Sequence, residues 1–125
     1  MKKLSPNLFV TNVKESIAFY EKFGFKVEQA IPDAENPFWA SIASGDVEIM
    51  LQEKNSGTQE FAVLAGKELG ATLTLFMETE NLEENYKVVK ENNYEIVYDM
   101  HETFYGTHEF AVQDPDGYIC VLAGK

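Results

Sequence analysis

The stretch Asn12-Val13-Lys14-Glu15-Ser16-Ile17-Ala18-Phe19-Tyr20, continued by Glu21-Lys22-Phe23-Gly24-Phe25-Lys26-Val27, decides the fold because the chain repeats it. At an offset of 69 residues stands Asn81-Leu82-Glu83-Glu84-Asn85-Tyr86-Lys87-Val88-Val89, continued by Lys90-Glu91-Asn92-Asn93-Tyr94-Glu95-Ile96. Each copy reads as a helix with marked ends. Asn12 and Asn81 suit the N-cap, where a side-chain oxygen accepts from free amides of the first turn. Glu15 and Glu84 follow three residues later, as in a capping box. Val13, Ile17 and Tyr20, like Leu82, Tyr86 and Val89, are spaced i, i+4, i+7 and make one apolar face. Gly24 and Asn93 follow the last turn, and both residue types tolerate the left-handed conformation that ends helices.

Strands are expected around each helix. Leu4 to Thr11 precedes the first and Ala71 to Thr79 the second. Lys26 to Ile31, Phe38 to Ala43 and Val47 to Glu53 follow the first; Glu95 to Met100, His108 to Gln113 and Tyr118 to Ala123 follow the second. Ser44-Gly45-Asp46 and Asp114-Pro115-Asp116-Gly117 supply matching hairpin turns. The order is β-α-β-β-β, twice. The first module spans residues 4–53, a linker 54–70, and the second module 71–124 within a single 1–125 domain. Gln59 to Leu69 is expected to hold a short helix.

Alternation along the strands assigns faces. Leu73, Leu75 and Met77 form an apolar row; Thr72, Thr74 and Phe76 form the other. Val47, Ile49 and Leu51 oppose Glu48, Met50 and Gln52. The apolar rows should pack on the helices. The mixed rows should face solvent or a cavity.

The bulk properties narrow the function. Twenty-one acids face ten bases, for a net charge of −11. All ten bases are lysine and no arginine is present. A duplex backbone needs a basic footprint, so nucleic acid is not an expected partner. Anionic ligands lose the usual bidentate clamp, and the field favours cations. No apolar run approaches the ~20 residues of a membrane helix. Met1-Lys2-Lys3-Leu4 leads into Ser5-Pro6-Asn7 rather than an apolar signal segment. A cytoplasmic setting is the expectation, and no membrane partner is expected. Cys120 lies in an apolar run and reads as a buried, inert thiol.

Val10-x-Asn12-x3-Ser16-x2-Phe19-Tyr20-x3-Gly24-Phe25 resembles the first-helix signature of the vicinal oxygen chelate superfamily, which holds glyoxalases, bleomycin-resistance proteins and dioxygenases. Phe104-Tyr105-Gly106-x2-Glu109-Phe110-x3-Asp114-Pro115-x-Gly117-Tyr118 resembles its closing hairpin. The bleomycin-resistance branch is the most similar, and the resemblance covers essentially the whole chain. It implies an α+β fold of two βαβββ modules forming an incomplete barrel with a cleft, and a homodimer.

In the family's enzymes the cleft holds a divalent metal on His, Glu or Gln. The resemblance places those four positions on Ser5, Met50, Thr74 and Val121, none of which offers imidazole or carboxylate. It therefore implies no metal at that site and leans away from an enzyme. His101-Glu102 and His108-Glu109 could form a relocated metal site, but neighbours on a strand point to opposite faces. No nucleophile elbow, P-loop or dinucleotide glycine pattern occurs.

Phe104, Tyr105 and Trp39 adjoin loops, where aromatics grip flat or cationic ligands; core packing is the ordinary alternative. Glu109 matches the acid of the branch's Gly-x2-Glu-Phe stretch, with a solvated strand acid as its alternative. The expected ligand-binding set is Trp39, Met50, Thr74, Phe104, Tyr105, Glu109 and Val121. The expected function is cofactor-free binding of a small organic molecule, sequestering a flat or cationic natural product or drug. The alternatives are a glyoxalase-like lyase or dioxygenase with a non-standard metal site, and a structural or regulatory dimer.

Overall fold

The first helix starts where the sequence places its cap. Asn12 is extended, and its side-chain oxygen accepts from the Glu15 amide at 3.0 Å. Helix α1 then runs Val13–Glu21 and ends before Gly24, whose φ is +93°. The structure, a computed structural model, describes all 125 residues. The chain divides into two compact units, Met1–Leu69 and Gly70–Lys125.

In the first unit, strands β1 (Asn7–Val10), β2 (Lys26–Ile31), β3 (Trp39–Ser44) and β4 (Val47–Glu53) make one sheet in the order β1-β4-β3-β2. The β1–β4 pairing is parallel and the others antiparallel. Leu8, Val10, Ala40, Ile42, Ile49 and Leu51 are buried, as are Val13, Ile17, Phe19 and Tyr20 of α1. Each large side chain so buried contributes about 1.5–3 kcal/mol. Of the expected apolar row of β4, Ile49 and Leu51 enter the core, while Val47 at the hairpin end is exposed.

The linker differs from expectation. Its helix, α2, is Lys54–Glu60, followed by a 3-10 turn at Ala62–Leu64, rather than one helix within Gln59 to Leu69. The segment lacks apolar periodicity; caps and contacts fix it instead. Glu53 accepts from the Asn55 amide at 2.7 Å and starts α2. Gly57 lies against the Phe9 ring so closely that a Cβ there would sit 2.5 Å from Cζ.

In the second unit, β5 (Thr74–Glu78), α3 (Leu82–Glu91), β6 (Ile96–Glu102), β7 (His108–Gln113) and β8 (Ile119–Gly124) repeat the order, with the sheet running β5-β8-β7-β6. Phe110, Val112, Cys120, Leu122, Leu75, Leu82 and Val89 are buried. The Tyr86 ring meets Phe110 at 5.3 Å. Cys120 is buried as expected.

The second cap is a correction. Asn81 makes no side-chain cap bond. The Thr79 hydroxyl accepts from the Asn81 amide at 3.0 Å and donates to Asn85 at 2.8 Å, taking over the anchoring role. Asn93 is left-handed, at φ +55°. The closing hairpin turns on Asp114, whose carboxylate accepts from the Asp116 and Tyr118 amides at 2.9 Å each. No helix is long and apolar enough to cross a membrane.

Candidate functional site

Strand pairing sets which side chains share a face. In the second unit Phe110, Val112, Cys120 and Leu122 point toward α3, so Glu109, Ala111, Val121 and Ala123 point away. Across β5 the same face carries Thr74, Phe76 and Glu78, which pair with Ile119, Val121 and Ala123. On β6 the register shifts between Tyr98 and His101. This β-bulge brings both residues to the Glu109 face: Tyr98 pairs with Ala111 and His101 with Glu109. Their rings meet at 5.3 Å.

Glu109 is the centre of this face. It is 9% exposed. Tyr98 donates to its Oε2 at 2.5 Å, and Tyr105 donates to its Oε1 at 2.8 Å. Those two bonds, Tyr98 first, hold the Glu109 carboxyl below the usual range; nearby His101 adds to the effect. Burial, then the Glu109 carboxylate, pushes the Tyr98 phenol up to about 12. The bond to Glu109 also raises Tyr105. At neutral pH the group is an ionised carboxylate fixed by two neutral phenols. The ion pairs Lys3–Glu48 and Lys87–Glu84 lie elsewhere, so no lysine neutralises it.

Tyr105 stands in the turn between β6 and β7, closed by Thr103 and Thr107: the Thr103 amide donates to the Thr107 carbonyl at 2.7 Å. A groove of about 770 Å³ is lined by Phe76, Glu78, Tyr105, Thr107 and Ala123, with Lys125 at its end. That volume falls in the usual range for small-molecule sites.

The expected site residues fall in both units. Thr74, Glu109 and Val121 share the face away from α3. Tyr105 joins them through its hydroxyl. Phe104 is fully exposed and meets only the edge of Tyr105, at 5.0 Å. Trp39 and Met50 lie on the face of the first sheet turned away from α1, beside Gln52 and Ser41. Sequence reading missed Tyr98, Phe76, Glu78 and Ala123. The available signal was alternation outward from Glu109, but the bulge hides Tyr98 from it.

The four positions at which the family's enzymes bind metal do not suit one here. The Ser5 hydroxyl donates to Glu48 at 2.9 Å. Met50, Thr74 and Val121 offer a thioether, a hydroxyl and an alkyl group, which form no hard or borderline donor set. His101 and His108 are exposed, and no group of three or more His, Cys, Asp or Glu comes together.

The family model for the Glyoxalase/Bleomycin resistance protein/Dioxygenase superfamily matches residues 4–122. No curated protein sequence matches the chain. Among solved structures, TioX from Micromonospora sp. ML1 is similar at 15% identity and TM-score 0.78, over 99% of this chain and 96% of that one. The bleomycin resistance determinant encoded on transposon Tn5 is similar at 20% identity and TM-score 0.70, over 100% and 98%. A bleomycin-binding protein complexed with bleomycin is similar at 21% identity and TM-score 0.66, over 100% and 99%. At these identities the likeness is one of fold.

Proposed function

From the premise that the chain belongs to the glyoxalase/bleomycin resistance protein/dioxygenase superfamily, we propose that it binds and sequesters a small cationic aromatic molecule without a metal. One observation carries this reading: Glu109 is a buried, ionised carboxylate with tyrosine partners and no lysine. Burying a charge is costly unless something compensates it. A ligand cation is the compensation proposed. Two of the roughly four lone-pair positions of a carboxylate are used by tyrosines, which leaves acceptor capacity for an ammonium. Phe76 and Tyr105 offer ring faces, worth about 0.5–2 kcal/mol each under a cation. Bleomycin binding by a structural relative supports small-molecule binding as the general class.

The test is a thermal-shift and calorimetric series of matched cationic, neutral and anionic naphthalenes. The cation should stabilise most, and Glu109→Gln should erase its advantage. Stabilisation by the anion alone, or unchanged binding after both Tyr105→Ala and Phe76→Ala, would sink the reading.

A second reading is a lyase or dioxygenase with a relocated metal. It has one observation in its favour, the direct pairing of His101 with Glu109. Against it, His101 is exposed and no group of three or more His, Cys, Asp or Glu comes together. Elemental analysis of protein purified without chelator separates the two: a tightly held transition metal lost in His101→Ala favours the enzyme.

The proposal includes a homodimer. Edge strands β2 and β6 expose Val27, Ile31 and Val97, and unpaired edges invite a partner. Sedimentation showing only the 14.1 kDa species at micromolar concentration would refute it.

A further inference from the structure

The spacing of charges on the Glu109 face specifies the ligand more closely. Ladder register sets Glu78 of β5, Ala123 of β8 and Glu109 of β7 in one row. Strands lie about 4.8 Å apart, so the two acidic positions are about 10 Å apart. Ala123 stands between them in the row. The next row reads Phe76, Val121, Ala111, Tyr98: small residues on the central strands, aromatics on the outer two.

The groove of about 770 Å³ runs over Ala123, between Phe76 and Tyr105. Glu78 lines it directly, while Glu109 lies behind the Tyr105 hydroxyl. The acids differ in kind. Glu109 is buried and pinned; Glu78 is exposed. Lys125 is the one lysine lining the groove, against Glu78 and Glu80.

We propose that the groove takes a flat dication: a rigid aromatic core with an ammonium or amidinium at each end, one on Glu109 and one on Glu78. The core lies on Ala123, flanked by Phe76 and Tyr105. The deep acid sets affinity, because its charge is shielded from solvent. The shallow acid selects length, because only a ligand of the right span reaches it. This rests on the binding reading above and adds the second charge and its distance.

The test is calorimetry at fixed ionic strength with three probes. One is a biphenyl carrying an aminomethyl group at each end, one is the biphenyl with a single aminomethyl group, and one is benzene with two. The long dication should bind at least fivefold more tightly than the monocation, and the short dication should show no such gain. Glu78→Gln, an exposed change, should abolish the gain, so that the long dication binds no more tightly than the monocation. Glu109→Gln should weaken both biphenyls. Equal binding of the long and short dications, or a gain that survives Glu78→Gln, overturns the dication proposal while leaving the binding reading standing. Failure of every cation to bind wild-type protein overturns both.

Discussion

Equivalent rows of the two sheets make the most instructive pair. In the first unit the row reads Phe9, Gln52, Trp39, Ile31. In the second, the row at the same place in the topology reads Glu78, Ala123, Glu109, His101. One row is bulky and largely apolar; the other is ionisable with a small residue at its centre.

The difference follows what covers each face. In the first unit α2 lies on Phe9, and Gln52 reaches it with bonds of 3.1 Å to Ser56 and Glu60. The Phe61 ring beyond α2 sits 6.3 Å from that of Phe9. In the second unit no helix of that unit lies across the row, and a groove occupies the space. A roofed face can be filled with side chains that pack. The open face keeps room and polarity, as the proposed binding site requires.

The largest expected effect comes from disturbing the roof. Gly57→Ala places a methyl against the Phe9 ring and should destabilise the protein by about 1–3 kcal/mol. In an exposed helix the same change stabilises by up to about 1 kcal/mol. Urea denaturation gives the sign directly, and a gain would mean that α2 does not rest on the sheet.

Next comes Gln52→Ala. It removes the acceptor of the Asn7 amide, a bond of 2.8 Å, and both bonds to α2. A loss of about 1–3 kcal/mol is expected. A change within a few tenths would show the roof to be held by Gly57 and Phe61 alone.

The smallest effect belongs to the second row and appears only with pH. The Glu109 carboxyl is held below its ordinary 4.5. Its contribution to stability is therefore present above that value and lost as pH falls through the lowered one. Melting temperatures of wild type and Glu109→Gln should differ more at pH 7 than at pH 3, with the wild type losing more on acidification. Parallel curves would mean that the tyrosines do not hold the carboxylate.

Much of the fold was legible because it rests on local signals said twice. Asn12 caps through its own side chain, Gly24 and Asn93 act through their own backbones, and Ile49, Leu51 and Leu75 follow simple periodicity. The second cap failed because the Thr79 hydroxyl binds the Asn81 amide and the Asn85 side chain, partners that the cap spacing does not announce. The linker helix failed because Glu53 and the Phe9 contact create it, and Phe9 lies more than forty residues away in sequence. At the site, Glu109 and Tyr105 could be read from their hairpin. Tyr98 could not, because a bulge breaks the two-residue alternation that would have placed it beside Glu109. Phe76 and Glu78 needed the pairing of β5 with β8, a long-range parallel contact that no turn announces.

Helix α2 also bears on how many ligands a chain can hold. A duplicated module begins with two copies of every surface, and thus with two chances at a binding site. With the linker laid on one copy, the binding proposed above has one open face to use, and its saturation curve should then close at one equivalent per polypeptide. The duplication then supplies a scaffold rather than a second receptor, and mutation is free to tune one face without a twin that must change in step.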